Sequence, residues 1–243
     1  MSSAAVKLPI LMTVDEFLDW PGDGTGRWYD LVDGELRAQD APSETHGSMH
    51  ARVAYLLTAH LDKRLPSCRV VIGGGVKPRL RAQWNYRIPD LAVTCGRNEK
   101  GAREVPDPVV IIELLSPSNR AETWDNVRNY ATLPSVSEIV VIDTESVSAD
   151  LLARDDKGLW PANSVKVLAG GVISLASISF DLPLNEVYQG THLAVTYPTR
   201  LNSCATIATS RSQSAAVRVS GKRTSHRRSR TRAVWAGVCG SLI

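Results

Sequence analysis

Three apolar runs constrain this chain more than anything else in it: "NYRIPDLAVTCG" at residues 85–96, "PDPVVIIELLSPSN" at 106–119 and "SEIVVIDTE" at 137–145. Each is short, rich in β-branched residues and closed by turn-forming residues, which predicts buried strands. The third is apolar on both faces and so belongs at the centre of a sheet with layers on either side. Helical patterns flank the runs. "SETHGSMHARVAYLLTAHLDKRL" puts Val53, Leu56, Leu57 and Leu61 on one face, with Ser43 or Thr45 as the cap, and "ETWDNVRNYATL" follows "SPSN". Strands interleaved with helices predict an α/β (α+β) domain built on a mixed sheet.

Smaller signals fill in the rest. Thr13 and Glu16 form a capping box for a short helix over "MTVDEFLDW". "RWYDLVDGELRAQ" reads as a hairpin turning at Asp33-Gly34, and "ADLLARDDKGLWPANSVKVL" as another with its turn at residues 155–158. "CRVVIGGGVKPRL" is a strand with a glycine-rich bend; no helix follows Gly75, so a phosphate-cradling loop is not expected. "PLNEVYQ" predicts a last short helix.

Charge divides the chain. Up to His192 there are 19 Lys and Arg against 25 acids, a net −6; after it there are nine bases and no acid. The first stretch, residues 1–192, is expected to be the folded domain. Residues 193–243 are expected to be a basic Ser- and Arg-rich disordered tail, because that composition buries too little apolar surface to offset ordering. Such a tail is either an arm that meets nucleic-acid phosphates or an accidental extension. No apolar run is long enough for a membrane span. The N-terminus lacks the hydrophobic segment of a secretory signal, so the cytoplasm is the expected compartment. Cys68, Cys95, Cys204 and Cys239 fit no zinc spacing and are expected to be free thiols in a reducing compartment.

Two of the strand runs carry an acid where the pattern asks for an apolar residue: Asp90 and Glu113. A core carboxylate costs several kcal/mol unless it is paired or bound to a cation. Two on neighbouring strands also repel. A hard divalent cation such as Mg²⁺ resolves both difficulties, and a metal so held can activate water against a phosphodiester. Pro89 cannot donate to a ladder and marks a strand end where a side chain can be re-aimed. The alternative is a pair of strand-end carboxylates meeting water or a neighbouring Arg.

Taken in order, "YDLVDGEL" from Tyr29, then His46, "IPDLAV" from Ile88, "IELLSPS" from Ile112, Tyr130 and "LPSVSEIVVID" resemble the Uma2 family of restriction-type endonucleases (DUF820), over roughly residues 10–190. The resemblance implies a restriction-endonuclease-like, PD-(D/E)XK nuclease fold, with extra β-hairpins, and a metal-dependent DNA endonuclease using Mg²⁺, with Mn²⁺ as a substitute. It implies Asp90 and Glu113 as metal ligands, the Leu114 carbonyl as a backbone ligand and Glu35, from "DGE", as an accessory or water-orienting acid. His46 would contact substrate DNA. The pattern departs at one place: a Lys expected four residues before the Tyr is Asn126 here. Arg128 on the same helix and Lys77 on an earlier strand are the candidates to replace its charge. That departure motivates the competing expectation, a catalytically inactive nuclease-like binding or regulatory module, acting as one half of a homodimer.

From the residues alone, His46 and His50, four apart, read as solvated positions of one helix face. His60 is expected to meet that helix's C-terminal dipole. Trp28 is expected under the first hairpin, and Trp124 and Tyr130 in packing, not base stacking.

Overall fold

The structure is a computed structural model that describes residues 11–194. The predicted tail, apart from Leu193 and Ala194, lies outside the described residues, as do Cys204 and Cys239. Six strands form one mixed sheet in the order β3 (Arg69–Ile72), β4 (Leu91–Thr94), β5 (Pro108–Leu115), β6 (Glu138–Asp143), β7 (Ser148–Ala153) and β8 (Val165–Leu168). Only β5 and β6 run parallel, joined by the crossover helix α3 (Arg120–Tyr130). Ile139, Val140, Val141 and Ile142 of β6 are all buried, as a two-faced apolar run demands.

Alternation sorts the side chains. Leu91, Val93, Val110, Ile112, Leu114, Val140 and Ile142 face the long helix α2 (Glu44–Arg64). This helix buries Met49, Val53, Leu57 and Leu61, spaced four apart. Burying each such side chain stabilises by roughly 1.5–3 kcal/mol. Ser43, not Thr45, caps α2 by accepting from the His46 N–H. The hairpin β9 (Val172–Leu175) to β10 (Phe180–Pro183) and the short α4 (Leu184–Val187) complete that layer, adding Ile173, Leu175, Leu182 and Val187. On the other face, Ala92, Ile111, Leu115, Ile139 and Val141 pack against Val127 and Tyr130 of α3.

A separate hairpin, β1 (Tyr29–Val32) and β2 (Glu35–Ala38), turns at Asp33 and Gly34, both at positive φ as this turn type requires. It packs Leu31 against Val14 of α1 (Val14–Asp19) and Tyr86. The Thr13–Glu16 capping box is present.

Three expectations need correction. Cys68 and Cys95 are joined in a disulfide, not free. The pairing of Arg69 with Thr94 puts them opposite each other at the ends of β3 and β4, which their separation of 27 residues does not disclose. Trp28 is half exposed and lies across Gly73, where an added Cβ would stand 2.1 Å from the indole ring. His60 sits one turn inside the end of α2, stacked on Phe180 at 4.4 Å with Nε2 2.9 Å from the Ile178 carbonyl oxygen.

Candidate functional site

The register that pairs Leu91 with Ile112 sets Asp90 across from Glu113 when continued by one residue. Pro89 ends the ladder there. The Leu114 N–H, lacking a strand partner at that point, donates to Asp90 Oδ2 at 2.7 Å. A side chain thus takes the place of a backbone acceptor, and this fixes the Asp90 carboxylate at the N-terminal end of β4. His46, in the first turn of α2, brings Nε2 to 3.3 Å from Asp90 Oδ1, and His50 Nε2 lies 2.9 Å from the Asp90 carbonyl oxygen. The two imidazoles are therefore not solvated helix positions: the i, i+4 spacing aims both at Asp90.

Glu113 is buried on the α3 face, where Tyr130 OH donates to its Oε1 at 2.6 Å. Asp90 acts on it as a negative charge. Burial, and then the Asp90 charge, push the Glu113 carboxyl well above the usual range, against the Tyr130 hydrogen bond. Burial also opposes charge on Asp90. There the His46 contact, the Leu114 N–H and His50 outweigh it and hold that carboxyl below its ordinary value. Burial and Glu113 together raise the Tyr130 phenol.

Asp30 of β1 is a third carboxylate in this group. It is 4% exposed, accepts from the Ile88 N–H at 2.7 Å, and acts electrostatically on Glu113. Burial raises it to about 6, against the Ile88 hydrogen bond and the nearby Arg87 charge. Sequence reasoning missed it, choosing Glu35 from the same hairpin. Glu35 stands at the turn end, 41% exposed, with its carboxylate 2.8 Å from Arg37. The test that picked out Asp90 and Glu113, an acid inside a strand whose neighbours are apolar, also selects Asp30.

Asn126 is buried on the face of α3 that carries Tyr130, and its Oδ1 has no hydrogen-bond partner. Arg128 points elsewhere: it is 68% exposed and paired with Asp125 at 3.0 Å. Lys77 lines a different cleft, with Arg103, Glu104, Asp107 and Pro108. Pro108 is the first residue of β5, about 16 Å of extended chain from Glu113. The Leu114 backbone reaches the site through its N–H. Among the described residues no group of three or more His, Cys, Asp or Glu is poised to hold a metal ion. The carboxylate oxygens of Asp90 and Glu113 suit a hard cation that keeps several waters.

The fold is an α/β domain with its buried carboxylates where β4 meets the crossover strand β5. A solved structure supports the fold: "a putative nuclease belonging to DUF820" from Anabaena variabilis superposes with a TM-score of 0.59 at 16% identity, covering 73% of this chain and 97% of that one. The model of the Uma2 family, described as "Putative restriction endonuclease", matches residues 14–185, and the chain belongs to that family. The Synechocystis sp. protein slr1290 is 26% identical over 181 residues, 74% of this chain and 92% of its own length. No helix among the described residues is long and apolar enough to cross a membrane.

Proposed function

We propose that this domain is a metal-dependent endodeoxyribonuclease whose centre is Asp90 and Glu113. The observation that carries the reading is their convergence: opposite each other across the β4–β5 register, with Glu113 raised by burial and then by the charge of Asp90. Nothing in packing requires two repelling carboxylates at this point, and a cation relieves the repulsion. Mg²⁺, or Mn²⁺ in its place, would supply a water of lowered pKa and an electrostatic partner for a phosphate oxygen. Asp90 and Glu113 would hold that cation, with the Leu114 carbonyl as the backbone donor.

The chain's own residues prepare the rest. The Leu114 N–H and His46 fix the Asp90 carboxylate, and Tyr130 orients Glu113. Asn126, with its free carbonyl oxygen on the Tyr130 face of α3, would accept a hydrogen bond from the attacking water and so aim its lone pair. His46, beside Asp90 and 14% exposed at its side chain, would be the contact to the DNA backbone.

Supercoiled plasmid incubated with Mg²⁺ or Mn²⁺ tests the reading, beside Asp90→Ala. Nicking that disappears in the variant supports it. Equal background in both favours the second reading, an inactive nuclease-like module, for which the neutral Asn126 and the outward-facing Arg128 speak. Calorimetric titration with Mn²⁺ separates a site that binds without turnover from no site at all.

A further inference from the structure

Arg87 is the one basic side chain among the fully buried described residues, only 1% exposed, and two of its nitrogens, Nε and Nη1, have no partner. Burying a guanidinium costs several kcal/mol unless opposite charge surrounds it. The pairing visible at Nη2 does not meet that cost. Asp125, 3.3 Å away, is 42% exposed and already engaged by the surface Arg128. The Asn85 Oδ1, at 3.2 Å, is neutral. What remains nearby is the acidic centre: the Arg87 charge acts on both Asp30 and Tyr130, and Tyr130 holds Glu113.

The connections of Arg87 reach three of the elements around the centre. Through Asn85, which exchanges hydrogen bonds with Asp33 N–H and Oδ1, it reaches the turn of the β1–β2 hairpin, and so Asp30. Through Asp125 it reaches α3, which carries Asn126 and Tyr130. Its backbone is clamped to Val76 in both directions, three residues before Asp90. The next N–H, of Ile88, is the one that Asp30 accepts.

We infer that Arg87 is the positioning residue of the acidic centre, a buried counter-charge that ties the hairpin, the Asp90 segment and α3 together so that Asp30, Asp90 and Glu113 stay converged. It touches no substrate. It acts through Asn85 and Asp125 and through its charge on Asp30 and on Tyr130, which holds Glu113. For its consequence in catalysis the inference rests on the nuclease reading; for its structural content it does not.

The experiment is a double-mutant cycle in the full chain, with chelator present and at low salt, read as thermal unfolding. Arg87→Met removes the charge and Asn126→Lys returns one from the neighbouring face of α3. Arg87→Met is expected to lower Tm by about 5 °C or more, and Asn126→Lys alone also to lower it, since it adds a second cation. The double variant is expected to recover at least half of the Arg87→Met loss, and Arg87→Lys to keep most of the wild-type Tm. Additive losses, or an Arg87→Met protein as stable as wild type, would overturn the inference. Should Arg87→Met fail to fold, a folded double variant supports it and an unfolded one sinks it. Where the wild type nicks plasmid, Arg87→Lys should lower kcat with KM unchanged, and a change confined to KM counts against positioning. A wild type that does not nick removes the nuclease reading and leaves the cycle to decide on Arg87.

Discussion

Two glutamates are buried on adjacent parallel strands, and they live in opposite conditions. Glu138 opens β6 on the side covered by the β9–β10 hairpin, 3% exposed. It accepts from the Ser177 N–H at 2.9 Å and from the Ser177 hydroxyl, both donated by the short turn between β9 and β10. Glu113 stands near the end of β5 on the α3 side, with one donor, Tyr130, and two further carboxylates, Asp90 and Asp30, acting against its charge. Burial alone therefore does not mark a functional acid. What marks Glu113 is the shortage of donors together with the surplus of like charge, an arrangement that costs stability and that packing does not demand.

The sharpest way to break this contrast is to remove each acid in turn. Glu113→Gln and Asp90→Ala are each expected to lower plasmid nicking by about 100-fold or more, while the Tm of Glu113→Gln stays level or rises because repulsion is relieved. Glu138→Ala should do the reverse, costing about 1–2 kcal/mol in urea unfolding by removing the acceptor of both the Ser177 N–H and the Ser177 hydroxyl, at unchanged nicking per folded molecule. If Glu138→Ala abolishes nicking in folded protein, the two glutamates are not the different things described here.

A smaller effect is expected from Asp30, the third acid, and it carries a sign that pH reveals. Its carboxyl is raised to about 6 when folded, against about 3.9 for an unperturbed Asp. Between those values the unfolded chain has released a proton that the folded chain still holds. In a chelator, this group's contribution therefore falls as pH rises from about 4 to about 6 and stays constant above. It is the reverse of a salt-bridged Asp. Asp30→Asn keeps an acceptor for the Ile88 N–H and should stabilise the protein by about 1–2 kcal/mol at pH 7 and by little at pH 4, measured as urea midpoints at both. Equal shifts at the two pH values would remove Asp30 from the acidic group.

How far this centre was legible follows from which signals are local. Asp90 and Glu113 were readable because each interrupts an apolar run, and Pro89 flagged the strand end between sheet and loop. The Asp33-Gly34 turn, the Thr13 cap and the apolar face of α2 were likewise written within a few residues. The disulfide, the approach of His46 and His50 to Asp90, and the burial of Arg87 depend on register and crossover between segments 27 to 44 residues apart. No local period encodes these. The β9–β10 hairpin escaped for another reason: its strands are four residues long and half exposed, so their alternation is faint.

Glu35 tests that lesson with the smallest effect of all. Composition of the hairpin offers Asp30, Asp33 and Glu35 as candidates, and the "DGE" pattern favours the last. The structure leaves Glu35 at the turn, 41% exposed, in an ion pair with an Arg37 that is itself 56% exposed. Such a pair is worth roughly 0–1 kcal/mol because water already solvates both partners. Glu35→Gln should therefore move stability by less than about 0.5 kcal/mol and leave nicking unchanged, read in the same urea and plasmid assays. A drop in nicking of about tenfold or more at intact stability would reverse the assignment within the hairpin. Glu35 would then have to reach the centre on substrate binding, by a hairpin movement that the Asn85–Asp33 hydrogen bonds resist, and Arg87, which acts on the hairpin through Asn85, would be the residue controlling it.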